Sequence, residues 1–250
     1  MTDAQAAVDA HPHWYHTMEV APGVVTPGWF DLRPTLEDMP WPDVVGKRCL
    51  DVGTYDGHLA FELERRGASE VIATDVPGHE DWDWPVRIRD KGIAALQAGP
   101  EKGRGFAIAR ELLGSGAHRE PISIYDLSPE RLGKFDVVVC GSLLLHLREP
   151  LRALMAIRSV TAGWFVSAET VIPGDGPPSA RLDGVSDLCQ WWTPNRAGHK
   201  RMVEAAGFDI ETATRSYEIA LGPAHPPPPR KLLRRRKGIL HAAVLAKPVA

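Results

Sequence analysis

The sequence predicts an α/β fold built on a mostly parallel sheet of seven strands, and three observations carry that expectation. From about residue 48 onward, short β-branched runs alternate with helical patterns. The last two β-type runs have no helix between them, which predicts a C-terminal antiparallel hairpin. A length of 250 residues suits one large α/β domain with a modest cap, and two full domains would be a squeeze. The domain is expected over residues 46–250. Residues 1–45, rich in Trp, Pro and Gly without a strong period, are expected to cap the open end of the sheet.

The elements follow in order. Residues 48–54 read as a buried strand, and residues 57–66 as a helix with Leu59, Phe61 and Leu63 among its apolar positions and Gly67 as its stop. Residues 70–76 form a second strand. Residues 77–104, with Trp82, Trp84, Pro85 and several glycines, read as an inserted loop or short helices. Further strands are expected at 121–126, 135–142 and 164–171, with helices at 150–160 and 195–206. Such alternation predicts a parallel sheet covered on both faces. The final runs, 208–220 and 241–247, are joined by PAHPPPPRKLLRRRKG, whose prolines cannot enter a central strand.

The totals exclude several classes. A net charge of −3 gives no global push toward nucleic acid or membrane, although residues 230–237 hold six cations and no acid. The remainder then carries 23 basic against 32 acidic residues. Cys49, Cys140 and Cys189 are far apart, which argues against a disulfide framework or a zinc site. The N-terminus lacks the layout of a signal peptide, and the apolar run 137–145 is too short to span a bilayer. A cytoplasmic protein with no membrane partner is expected.

The strongest local signal is LDVGTYDGHLAFEL at residues 50–63. A strand ends at Gly53, a tight turn follows, and a helix opens at Gly57. Gly53 lets backbone approach a ligand, and its place beyond a strand's carboxyl end is where open α/β sheets bind. Asp75 ends the next strand, 22 residues later, where a carboxylate can read both hydroxyls of an adenosine ribose. A nicotinamide or flavin dinucleotide is the alternative cofactor. Its G-x-G-x-x-G fingerprint admits a pyrophosphate, whereas Gly53-x-x-x-Gly57 fills the turn with Tyr55 and the acidic Asp56. S-adenosylmethionine has no phosphate and carries a sulfonium, so an acidic turn suits it better. The residues expected to bind it are Asp51, Gly53, Thr54, Tyr55, Gly57, Asp75, Val76, Tyr125, Asp126, Leu127, Gly141 and Ser142. Asp126 has a second reading, as the cap of the helix that follows it.

Four blocks then carry a family resemblance: WYHTMEVAPGVVTPGWFDLRP, DVGTYDGHLAFELERRGASEVIATD, FDVVVCGSLLLHLREPLRAL and WWTPNRAGHKRMVEAAGF. From Trp14 to Phe208 the chain resembles the class I S-adenosylmethionine-dependent methyltransferases related to the tRNA wobble-uridine (5-oxyacetate and methoxyuridine) modification enzymes. The resemblance implies a Rossmann-like fold, S-adenosylmethionine as methyl donor and S-adenosylhomocysteine as product. Two departures stand out. The carboxymethyl-transferring tRNA enzyme has a Tyr before the His of its fourth-strand motif, where this chain has Leu145 before His146. It also has a long region ahead of its catalytic core, where this chain has some 45 residues. Both departures favour plain methyl transfer.

Methyl transfer needs an aligned acceptor and, for a hydroxyl, a base. His146, after the fourth strand, is the first candidate; Tyr15 and His16 are the second, should the cap fold over the crevice. Glu169, Trp191, Trp192 and Asn195 are expected to wall the acceptor pocket. His199 is expected on a helix surface. His11, His13 and His16 have no carboxylate at ligand spacing, so no metal is expected. The expected acceptor is a hydroxyl or carboxyl of a small metabolite. A tRNA reached through Arg230–Lys237 is the alternative, and a cofactor-binding protein without catalysis the third.

Overall fold

The computed structural model describes residues 2–97, 99–186, 189–225 and 238–249. Helix α1 (Asp3–Asp9) begins at Thr2, whose hydroxyl accepts the Gln5 amide. A small hairpin of β1 (Glu19–Ala21) and β2 (Val24–Val25) follows, then β3 (Phe30–Asp31) and a 3-10 turn at Arg33–Asp38. Buried Val8, Trp14, Met18 and Val20 explain why this aperiodic segment is ordered, and the Trp14 indole donates to the Val8 carbonyl.

The α/β alternation runs through β4 (Arg48–Val52), α2 (His58–Arg65), β5 (Glu70–Asp75), α3 (Arg89–Gln97), α4 (Arg104–Leu113), β6 (His118–Pro121), α5 (Pro129–Leu132), β7 (Phe135–Gly141), α6 (Pro150–Val160) and β8 (Thr161–Thr170). A second hairpin, β9 (Ala180–Leu182) with β10 (Trp192–Pro194), leads to α7 (Arg196–Ala205). The chain closes with β11 (Phe208–Ala213), β12 (Tyr217–Leu221) and β13 (Gly238–Pro248). The large sheet has the order β3-β12-β13-β8-β7-β4-β5-β6, with β11 also paired to β13. Strands β8, β7, β4, β5 and β6 are mutually parallel, and β13 runs antiparallel beside β8. Cys49, Leu50 and Val52 of β4 are buried on both faces, as a central parallel strand requires.

Two cores flank the sheet. One gathers Leu63 of α2 and Phe106 of α4 with Trp14 of the cap; the other gathers Leu154 and Ile157 of α6 with Val203 and Phe208. Leu154 and Ile157, one turn apart and fully buried, each contribute roughly 1.5–3 kcal/mol of burial.

Four expectations are corrected. Among the described residues the sheet has nine strands where seven were expected, because the run 208–220 breaks into β11 and β12, both on the long β13, and because β3 of the cap joins the edge beside β12. The strand expected at 121–126 lies at His118–Pro121. Ser123 then accepts the Tyr125 amide and starts a 3-10 turn over Ile124–Asp126. Helix α4, which crosses from β5 toward β6, has no counterpart among the expected elements, so the span 77–104 is followed by a helix where none was expected. His199 is fully buried, not on the surface, and shares a hydrogen bond with Ser167 of β8 at 2.9 Å. The basic run 230–237 lies outside the described residues. No described helix is long and apolar enough to cross a membrane.

Candidate functional site

Strand β4 has β5 on one side and β7 on the other: the chain runs outward from β4 through β5 to β6, then crosses back to place β7 on the opposite side of β4. That switch point opens a crevice beyond the strands' carboxyl ends. The turn after β4 fills its floor. The Gly53 and Thr54 amides both donate to the Thr74 carbonyl, at 2.8 and 3.0 Å. Gly53 has φ of +81°, and a Cβ there would come within 2.6 Å of the Leu143 side chain. Gly57 has φ of +96° and would meet the Phe61 ring. Tyr55 also adopts a left-handed φ, +51°, and its amide donates to Asp75 Oδ2 at 3.1 Å. Asp51 and Thr54 are buried side by side, and burial pushes the Asp51 carboxyl up to about 6 against a hydrogen bond from the Thr54 side chain.

Asp75 ends β5 as expected, and it is already engaged. Oδ2 also accepts the Lys102 ammonium at 2.7 Å, and Oδ1 accepts the Val76 amide at 2.8 Å. The Tyr125 hydroxyl donates to Asp83 Oδ2. Asp126 is exposed on the 3-10 turn and caps nothing, since Ser128 holds the N-cap position of α5. Leu127 belongs to the core. At the end of β7, a Cβ on Gly141 would press on Leu59. Ser142, at φ +51°, turns its hydroxyl away from the crevice turn and toward His241 Nε2, 2.7 Å away. The His241 Nδ1–H donates to the Ile239 carbonyl, so Nε2 is the acceptor.

The cap is stitched to the glycine turn by Asp56. Its Oδ2 accepts the amides of Tyr15 and His16 at 2.8 and 2.9 Å, and its Oδ1 accepts His16 Nδ1–H. Burial works against ionisation of Asp56, but these donors outweigh it and hold the carboxyl below the usual range. His16 stacks on His58, which burial lowers to about 3. The Tyr15 ring packs on Tyr55 and Phe30, at 4.9 and 5.0 Å. Burial, with Asp56 and Glu169 nearby, raises the Tyr15 phenol.

His146 belongs to a second group. It ends a 3-10 turn at Leu144–His146, half-buried, with Nδ1–H donating to the Cys189 carbonyl at 2.7 Å. Burial lowers its basicity, so Nε2 carries a lone pair at neutral pH. Asp83 binds this group together: its carbonyl accepts the Trp191 indole at 2.6 Å, and its carboxylate accepts the Arg148 amide. Trp192 donates to the Arg148 carbonyl. Asn195, expected in the acceptor wall, is instead the N-cap of α7. Its oxygen accepts Gly198 and Ser179 amides and its nitrogen donates to Pro177, so most of its hydrogen-bonding capacity goes to structure. Buried Glu169 anchors the loop after β7 by accepting the Leu143 and Leu144 amides, each at 3.1 Å.

Three residues that organise this region, Asp56, Lys102 and Asp83, are not among the site residues expected from the sequence. Asp56 was visible in the turn, though only as a charge unsuited to pyrophosphate. Lys102 and Asp83 left no signal, because their partners are 27 and 42 or more residues away.

A family profile described as a methyltransferase domain matches residues 29–213. The tRNA U34 carboxymethyltransferase of Dichelobacter nodosus is 27% identical over 184 residues, covering 71% of this chain and 51% of that protein. The chain therefore spans about half the length of the curated relatives it matches. Among solved structures, the N-terminal domain of EvdMO1 with SAH bound superposes with a TM-score of 0.59 at 16% identity, covering 99% of this chain and 98% of that one. An S-adenosylmethionine-dependent methyltransferase from Mesorhizobium loti superposes at 0.50 with 17% identity, covering 86% and 96%. These two structures share the fold of this chain. With that fold, and with the family profile spanning the crevice from the cap to β11, the chain belongs to the methyltransferase-domain family.

Proposed function

We propose that this methyltransferase takes its methyl group from S-adenosylmethionine and passes it to a hydroxyl or carboxyl oxygen of a small metabolite. The observation that carries this reading is Asp56, which ties Tyr15 and His16 of the cap to the glycine turn. A cap fastened there roofs the crevice with aromatic rings, an enclosure that suits a small acceptor. The cofactor reading rests on fit: bare Gly53 in the turn beyond β4, and the Asp75 carboxylate at the end of β5. When bound, S-adenosylmethionine supplies a methyl carbon activated by its sulfonium.

Within this reading His16 is the base. Asp56 holds Nδ1–H, which leaves the Nε2 lone pair to take the acceptor's proton, and the carboxylate then stabilises the imidazolium. His146 has the same tautomer but a neutral carbonyl behind it, so it gains no such support. The second reading, a tRNA acceptor, is favoured by the identity to the tRNA U34 carboxymethyltransferases.

The test is methyl transfer from labelled S-adenosylmethionine to a panel of hydroxylated and carboxylated metabolites, with bulk tRNA alongside. Transfer to a metabolite is expected. His16→Ala and Asp56→Asn should lower turnover by ~10²–10⁴-fold, and His146→Ala by less. Transfer to tRNA alone would overturn the acceptor class, and a larger loss in His146→Ala would move the base.

A further inference from the structure

The carboxylate placed to read the ribose is already occupied by a lysine of the same chain. Asp75 Oδ2 accepts both the Tyr55 amide and the Lys102 ammonium, which fills its two lone-pair positions. Oδ1 accepts the Val76 amide and keeps one position open. A ribose diol engaging both oxygens therefore needs a position that Lys102 holds. The lysine is not a surface side chain in passing. Its side chain is 4% exposed, with the ammonium 4.8 Å from the Tyr55 ring centroid and 5.4 Å from that of Trp82.

We infer that Lys102 is a displaceable occupant of the ribose position, which sets cofactor affinity by competing with the ribose for Asp75. The inference rests on the reading of Asp75 as the ribose carboxylate. Its physical ground is that a buried ion pair recovers little more than its desolvation cost, so an incoming neutral diol can compete. Burial lowers the Lys102 ammonium from its usual value despite Asp75, with Arg119 also unfavourable, which marks the pocket as a poor home for a cation. Lys102 immediately precedes Gly103, whose φ of +86° opens α4. That glycine offers a pivot on which the lysine can swing to solvent while α4 stays in place. Tyr55 and Trp82 would lose the cation and gain the ligand's edge, so the exchange has an optical signature.

Calorimetric titration with S-adenosylhomocysteine tests this on the full chain. Lys102→Met should bind about ten-fold or more tightly than wild type, the size of one charge-assisted hydrogen bond no longer broken. Lys102→Arg should return affinity toward the wild-type value, because the competing charge is restored. Asp75→Asn should weaken binding in both backgrounds. Equal or weaker binding by Lys102→Met, with Asp75→Asn still impaired, overturns the competition while leaving the role of Asp75 standing. Unimpaired binding by Asp75→Asn removes the ribose reading and the competition with it. A second readout does not depend on either variant folding. The ligand should change wild-type tryptophan emission, and most of that change should vanish in Trp82→Phe. A full-size change in Trp82→Phe counts against displacement of Lys102.

Discussion

Glu169 is a carboxyl in a place where ionisation is unfavourable. It is 1% exposed at the end of β8, with one oxygen on two backbone amides and the other buried without a partner among the described residues. Burial pushes it up to about 8, against the help of those amides. Tyr15 of the cap, Tyr217 of β12 and Cys140 of β7 face it, and its charge would disfavour ionising each of them. In the unfolded chain the same group titrates near the ordinary carboxylate value. Between that value and about 8 the folded state therefore binds more proton, and stability falls as pH rises through the window. Glu169→Gln, which stays neutral and keeps an oxygen for the amides, should gain stability relative to wild type at pH 8 and lose that advantage near pH 4.5. Chemical denaturation at both pH values checks this; a pH-independent difference would show that the carboxyl is not protonated in the fold. The strand-end position of Glu169 is legible in the sequence, whereas its protonation state is not, because that depends on what covers it.

At the scale of elements, helix α7 shows how a side chain that looks like a ligand group can be fully used by the backbone. Asn195 Oδ1 accepts the Gly198 amide at 2.7 Å, satisfying an otherwise orphan donor of the first turn. It also holds Ser179 and Pro177 of the preceding loop. Asn195→Ala should cost about 1–2 kcal/mol in urea unfolding, toward the upper end because three partners are lost. Asn195→Asp, which keeps the cap acceptor, should recover part of it, and an unchanged midpoint in Asn195→Ala would refute the cap's contribution. Helices and strands with strong apolar periodicity were legible: α6 occupies its expected span, and β4, β5 and β7 end within two residues of theirs. The strand at β6 was not. Its residues His118–Pro121 have no apolar pattern, while the apolar Ile122 and Ile124 that follow enter the core from a turn.

Across the whole molecule, buried histidines set the acid limit. Burial lowers His58 to about 3 and both His199 and His241 to about 4. Each is neutral in the fold, whereas the unfolded chain takes up protons below about 6.5. The unfolded state then binds more proton, so stability rises with pH from about 4 to 6.5 and falls as the solution is acidified. Thermal melting across that range should show the loss, and His199→Gln should flatten part of it. A melting temperature constant from pH 6.5 to 4 would contradict the neutral histidines. Together with Glu169 this places maximum stability near pH 6.5.

The sequence by itself determined the α/β alternation, the parallel centre, the antiparallel end and the glycine turn that marks the crevice. Those features are local: periodicity, turn chemistry and the length of each run are written in neighbouring residues. Tertiary structure alone decided which groups meet in that crevice. Asp56 reaches back 40 residues to His16, Lys102 crosses 27 to Asp75, and Asp83 spans 108 to Trp191. It also decided which polar groups are spent on structure, as with Asn195 and Ser142, and which carry a free lone pair, as with His146. The physical reason is that ionisation, tautomer and pairing follow from burial and from partners distant along the chain, and neither is encoded in any short stretch of it.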